Sequence, residues 1–159
     1  MHSAWPCYQK QLFKSEKMRK HNHKSLRIYQ EGIEITVKIY QFAECFPDKE
    51  RYGLWSQMTR SASSIPNNIS EGSARTNRSF KSYLRIALGS AYELDTQLTL
   101  CSRLGYGNKA EIEELQTEVQ KEQKMILKFI DSLPSDKGVS LPITIVLCVL
   151  SSMIGLLLF

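Results

Sequence analysis

The sequence predicts an all-α fold, an antiparallel up-down-up-down four-helix bundle. Three observations point there. Apolar residues recur at threes and fours in four successive runs, no segment alternates like a strand between regular turns, and Gly (8) and Pro (5) are few among 159 residues. A chain of this length holds one ordinary domain with a sizeable core. Short links between the runs cannot cross a bundle's length, so consecutive helices run antiparallel.

The first run begins at Ser25, where Leu26, Tyr29, Ile33, Val37, Tyr40 and Ala43 paint one helical face that ends near Cys45. Pro47 stops this helix, and Asp48 is placed to cap the next. Leu54, Met58, Ala62, Ile65 and Ile69 form the second stripe. Pro66 lies inside it, lacks an amide donor, and predicts a kink or break between about 62 and 66.

After Gly72 a polar turn leads to Ser79, a good N-cap for the third run. There Phe80, Leu84, Ala87, Ala91, Leu94, Leu98 and Cys101 step alternately by four and three, a heptad-like seam. Gly89 and Ser90 inside this run read as a site of close helix packing. Gly105 and Gly107 of the GYGN turn suit positive φ, and Asn108 is placed to cap the fourth helix. Its inward stripe is Ile112, Leu115, Val119, Ile126, Phe129, Ile130 and Leu133, interrupted by Glu122 and Gln123 and closed by Pro134.

The domain plan is a basic flexible arm over residues 1–24, the bundle over 25–133, a linker over 134–138 and an apolar tail over 139–159. The arm holds Lys10, Lys14, Lys17, Arg19, Lys20 and Lys24 against Glu16, and so carries the whole net charge of +5. It also holds all three histidines, His2, His21 and His23, which read as solvated tail residues with no metal-ligand pattern around them. Cys7, Cys45, Cys101 and Cys148 are scattered, with no CxxC spacing and no leading signal segment, which favours reduced thiols and a cytoplasmic bundle.

Enzyme chemistry finds little support. The body has no histidine for general-base work, and no GxSxG or phosphate-cradling glycine loop occurs. No cofactor, metal site or catalytic residue is expected.

Two surface features carry more. On the second helix Gln57, Arg60, Ser64, Asn68 and Glu71 cluster about 120° from the apolar stripe, at the helical 100° per residue. Such a flank is either a solvated face with local hydrogen bonds or a subunit contact in which Arg and amide groups pair across neighbours. Charge is also polarised: residues 49–103 hold eight Lys or Arg against four Asp or Glu. Arg75, Arg78, Lys81 and Arg85 crowd the turn and the start of the third helix, with Arg60 joining them through assembly. That arrangement suits phosphate, and its bland counterpart is a solvated basic turn.

The segments IYQFAECFPDKERYGLWSQMTRSASSIPNNISEG, SYLRIALGSAYELDTQL and LGYGN resemble the bacterial four-helix bundle proteins encoded in intervening sequences of large-subunit rRNA genes. Their relatives include the accessory variability determinant proteins of diversity-generating retroelements. The resemblance spans roughly residues 25–133 and rests on Gln57, Arg60, Ser64, Ile65, Pro66, Asn68, Glu71, Gly72, Gly89, Ser90, Glu93 and Leu94. It implies a non-enzymatic protomer that assembles into a ring-like homopentamer. In the retroelement branch it further implies binding of nucleic acid and of a partner reverse transcriptase. The arm and the tail depart from the family pattern.

From Val139 to Phe159 the tail has 21 residues and no charge, enough at 1.5 Å rise to span or nearly span a hydrocarbon layer. Pro142 shortens the uninterrupted stretch to 17. A C-terminal membrane anchor, a segment that packs on an oligomer and a reading-frame extension are the three readings. Function is accordingly expected to be an oligomeric scaffold that binds RNA or a nucleoprotein. The alternative is a protein-interaction module, tethered to a membrane by the tail, without nucleic-acid binding.

Overall fold

The computed structural model describes residues 21–44 and 46–134. The arm up to residue 20, Cys45 and the apolar tail lie outside the described residues. Four α-helices succeed one another: α1 (Arg27–Ala43), α2 (Leu54–Ser73), α3 (Asn77–Leu104) and α4 (Lys109–Ser132). Two 3-10 turns, His23–Ser25 and Asp48–Glu50, precede α1 and α2. Among the described residues no strand occurs, and no helix is long and apolar enough to cross a membrane. Each helix packs on its neighbours in sequence and α4 closes on α1, while the diagonal pairs α1–α3 and α2–α4 make no close backbone approach. This is the expected four-helix bundle.

The seam of α3 is the centre of the core. Phe80, Leu84, Ala87, Ala91, Leu94, Leu98 and Cys101 are all fully buried. Met58, Ala62, Ile65 and Ile69 of α2 meet them, and the Cys101 thiol lies 3.4 Å from the Met58 sulfur. From α4 come Ile112, Leu115, Val119, Ile126 and Ile130, and Leu133 follows at its C-cap. Burying these side chains stabilises the bundle by roughly 25 cal/mol per Å² of apolar surface removed from water.

α1 turns a different face inward from the one expected. Its buried residues are Ile28, Gly32, Ile35, Ile39, Phe42 and Ala43, whereas Val37 and Tyr40 are about half exposed. The helix has two apolar stripes, and the one containing Gly32 lies against α2. A Cβ at Gly32 would stand 3.3 Å from Ile65 Cγ2 and 3.6 Å from Pro66 Cδ. Without that Cβ, α1 settles on the proline ring.

Pro66 does not break its helix. α2 runs continuously from Leu54 to Ser73 with Pro66 buried inside it. The carbonyl that Pro66 leaves without an amide is that of Ala62, and the Thr36 hydroxyl of α1 reaches it.

The caps also differ in part. α3 starts at Asn77, two residues before Ser79, because the Thr76 side chain accepts from the Ser79 amide and serves as N-cap. At the head of α2 the Leu54 amide is received by the Glu50 carboxylate at 3.2 Å, with Asp48 in the preceding 3-10 turn. Asn108 caps α4 as expected, accepting from the Ala110 amide at 2.9 Å. Gly105 (φ 73°) and Gly107 (φ 78°) make the left-handed turn before it.

Candidate nucleic-acid and subunit interfaces

All four helices have one terminus at the same end of the bundle: α1 and α3 begin there, α2 and α4 finish there. His21 closes this end. Its backbone amide donates to the Ser73 carbonyl at 3.1 Å, and its ring lies 5.3 Å from Phe80 and 6.5 Å from Phe129. His23 stacks edge-on against Tyr29 at 5.0 Å. Neither is the solvated tail residue expected from the polar sequence around it.

The α2–α3 turn is held by close contact at Gly72. A Cβ there would stand 2.6 Å from Tyr83 Cβ and 2.7 Å from the Phe80 ring. The approach lets Tyr83 donate to Glu71 at 2.7 Å, and Arg75 pairs with the same carboxylate oxygen at 3.3 Å. The bond to Glu71 favours the protonated phenol and raises the Tyr83 pKa. Arg75 is therefore positioned on the surface.

Beyond that pair, Arg78 and Arg85 are exposed and Lys81 is half-buried. No ion pair reaches these three among the described residues. Between Gly72 and Tyr92 the sequence has four cations and no carboxylate; Arg75 is offset by Glu71, and Arg78, Lys81 and Arg85 leave the start of α3 with a net positive surface. Arg60 does not belong to it within one protomer. Ser61 sits beside Gln97 and Glu71 beside Tyr83, which places Arg60 about 16 Å along the bundle from Arg85 at 1.5 Å per residue.

The polar flank of α2 is partly used inside the protomer. Ser64 and Ser90 share a hydroxyl hydrogen bond at 2.8 Å, and Asn68 Nδ2 donates to the Ser64 carbonyl at 2.8 Å and to its hydroxyl at 3.0 Å. Glu71 is engaged as described. Gln57 and Arg60 are exposed, with no side-chain hydrogen bond among the described residues. The adjoining flank of α3 carries exposed Ile86, Leu100 and Leu104. Gly89 lies on that same flank, and a Cβ added there meets nothing within 4 Å. Close packing inside the protomer, the expected reason for Gly89, is therefore absent.

Sequence reasoning missed the most unusual side chain. Glu122 is 1% exposed, and neither carboxylate oxygen has a partner among the described residues. Burial pushes its pKa up to about 8, with the Glu31 charge adding and Lys121 opposing. Its neighbour Gln123 is also buried and donates to the Ala91 carbonyl at 3.2 Å. The spacing Leu115, Val119, Glu122, Ile126 places Glu122 on the core face, and that was the available signal. No group of three or more His, Cys, Asp or Glu is placed to hold a metal among the described residues.

The model of the 23S rRNA-intervening sequence protein family matches residues 24–128. The chain belongs to that family. A crystal structure of a protein of unknown function from the S23 ribosomal protein family of Bacteroides thetaiotaomicron VPI-5482 is similar to it at 24% identity. The alignment covers 66% of this chain and 96% of that one, with a TM-score of 0.61, a likeness of fold. Comparison with curated proteins finds no match. The match to the 23S rRNA-intervening sequence protein family covers α1 to α3 and most of α4, and leaves aside residues 1–23 and the tail.

Proposed function

We propose that this family member is a self-associating, non-catalytic scaffold that binds nucleic acid, RNA first, through the α2–α3 turn. The observation that carries this reading is the run of Arg75, Arg78, Lys81 and Arg85 with no carboxylate between Gly72 and Tyr92. Long cations on a rigid turn contact phosphates in a sequence-independent, salt-sensitive way. Self-association is supported by the α3 flank, where Ile86, Leu100 and Leu104 are exposed and Gly89 leaves room for a neighbouring backbone. Gln57 and Arg60 stand on the adjoining α2 flank with uncommitted polar ends. The family resemblance implies a ring of five, which would repeat the basic turn by symmetry and bring copies of Arg60 toward it. A reverse transcriptase is the protein partner that the retroelement branch implies.

The test is RNA binding across a range of salt concentration, for the natural chain and for a variant with Arg75, Arg78, Lys81 and Arg85 each changed to Glu. Affinity should fall by more than about tenfold, with a shallower salt dependence, since each lost phosphate contact reduces the slope by somewhat less than about 1. Unchanged binding contradicts the reading. It would favour the second one, a protein-interaction module tethered through the uncharged stretch from Val139 to Phe159.

A further inference from the structure

The α1–α4 side of the bundle has a different character from the α2–α3 turn. Leu26, Ile28, Met125 and Phe129 floor an open groove of about 360 Å³, with Arg27 and Lys128 on its rim. An adjoining depression of about 320 Å³ shares Met125 and Lys128 and adds Lys121 and Lys124. Arg27 and Lys121 are paired with Glu31, at 3.4 and 3.3 Å. Lys124 and Lys128 meet no carboxylate among the described residues. The surface is thus an apolar floor with two uncompensated ammonium groups beside it.

The chain beyond α4 indicates which phase covers this surface. α4 ends at Ser132, and the uncharged stretch of 21 residues starts at Val139. The intervening residues reach at most about 20 Å when extended. Whatever takes up that stretch therefore lies close to the end of α4. The groove is far too small to cover 21 residues. α1 starts at the same place, and the segment before it carries Lys10, Lys14, Lys17, Arg19 and Lys20 against Glu16. The basic segment and the uncharged one are thus both joined in sequence to the same end of the bundle. A bilayer with an anionic surface meets both requirements, an apolar interior for the tail and phosphates for the lysines.

We propose that the α1–α4 surface seats on anionic lipid headgroups, with Lys124 and Lys128 toward the phosphates, at the end of the bundle from which the uncharged residues 139–159 follow in sequence. The surface is separate from Arg75, Arg78, Lys81 and Arg85, so this proposal and RNA binding stand or fall independently.

The experiment uses the full chain, synthesised cell-free with vesicles of phosphatidylcholine alone or mixed with phosphatidylglycerol, then floated. Each lysine is acylated with an amine reagent and read by mass spectrometry. The chain floats with both vesicle types through its tail. Acylation of Lys124 and Lys128 falls by about threefold or more on the anionic vesicles only, as expected for headgroup contact. Lys49 and Lys109, at the opposite end of the bundle, react equally in both. Equal acylation of Lys124 and Lys128 in the two vesicle types overturns the proposal, as does failure to float. Protection of these two lysines by RNA without vesicles, and not by vesicles, assigns the surface to nucleic acid and also overturns it.

Discussion

Thr36 Oγ1 lies 3.0 Å from the carbonyl oxygen of Ala62, the carbonyl that Pro66 deprives of its helical amide. The same hydroxyl stands 2.7 Å from the Gly32 carbonyl of its own helix, so one proton serves two acceptors. A proline in the middle of a helix is tolerated here because the adjoining helix supplies both the missing donor, at Thr36, and the clearance for the ring, at Gly32. Pro66 alone predicts a kink; its neighbours on α1 remove the cause.

Replacing Thr36 by Val keeps the shape and removes the donor. The variant should lose about 1–3 kcal/mol of stability in denaturant unfolding, the usual cost of a buried polar group left unsatisfied. Restoring an amide with Pro66→Ala should shrink that loss, so the double variant separates the hydrogen bond from simple packing. Equal losses in both backgrounds would mean that Thr36 acts only by packing.

Glu122 makes stability depend on pH in a stated direction. Its pKa is raised to about 8 in the folded bundle from an ordinary value of 4.5. Between these values the unfolded chain has released the proton and the folded one holds it. Stability therefore falls as pH rises through that window, by up to about 1.4 kcal/mol per unit, and levels off above it. Glu122→Gln should remove this slope and be the more stable protein at pH 8. Parallel pH profiles for the two proteins would rule out the buried acid.

Gly72 and Gly89 should respond oppositely to alanine. At Gly72 the new Cβ meets Tyr83 and Phe80 well inside contact distance, so Gly72→Ala should destabilise the bundle by about 1–3 kcal/mol. At Gly89 the space is open, and alanine should stabilise the helix by about 0.5–1 kcal/mol. If the flank beside Gly89 is a subunit contact, the same substitution weakens self-association while it strengthens the protomer. Thermal unfolding and sedimentation of the two variants check this.

The core of α3 is legible in the sequence because its apolar residues alternate strictly by four and three while its other faces are largely polar. α1 misleads by about a third of a turn because it carries two stripes. Tyr29, Ile33, Val37 and Tyr40 repeat as regularly as Ile28, Ile35, Ile39 and Phe42, and the glycine in the second stripe weakens its signal. Periodicity shows that a stripe exists; the partner helix decides which one is covered. Glu122 reads as an interruption because its charge argues against the core position that its spacing argues for. The basic turn can be read directly, since Arg75, Arg78, Lys81 and Arg85 are close in sequence. Arg60 cannot be placed that way, because its distance from them depends on the register between α2 and α3.

The most direct test of a scaffold built from copies of this bundle is the sedimentation-equilibrium mass of residues 21–134. A mass five times that of the protomer is the expected result, with dissociation promoted by changing Gln57 and Arg60 to Glu. A single species at the protomer mass, unchanged as concentration rises, would contradict self-association through the α2 and α3 flanks.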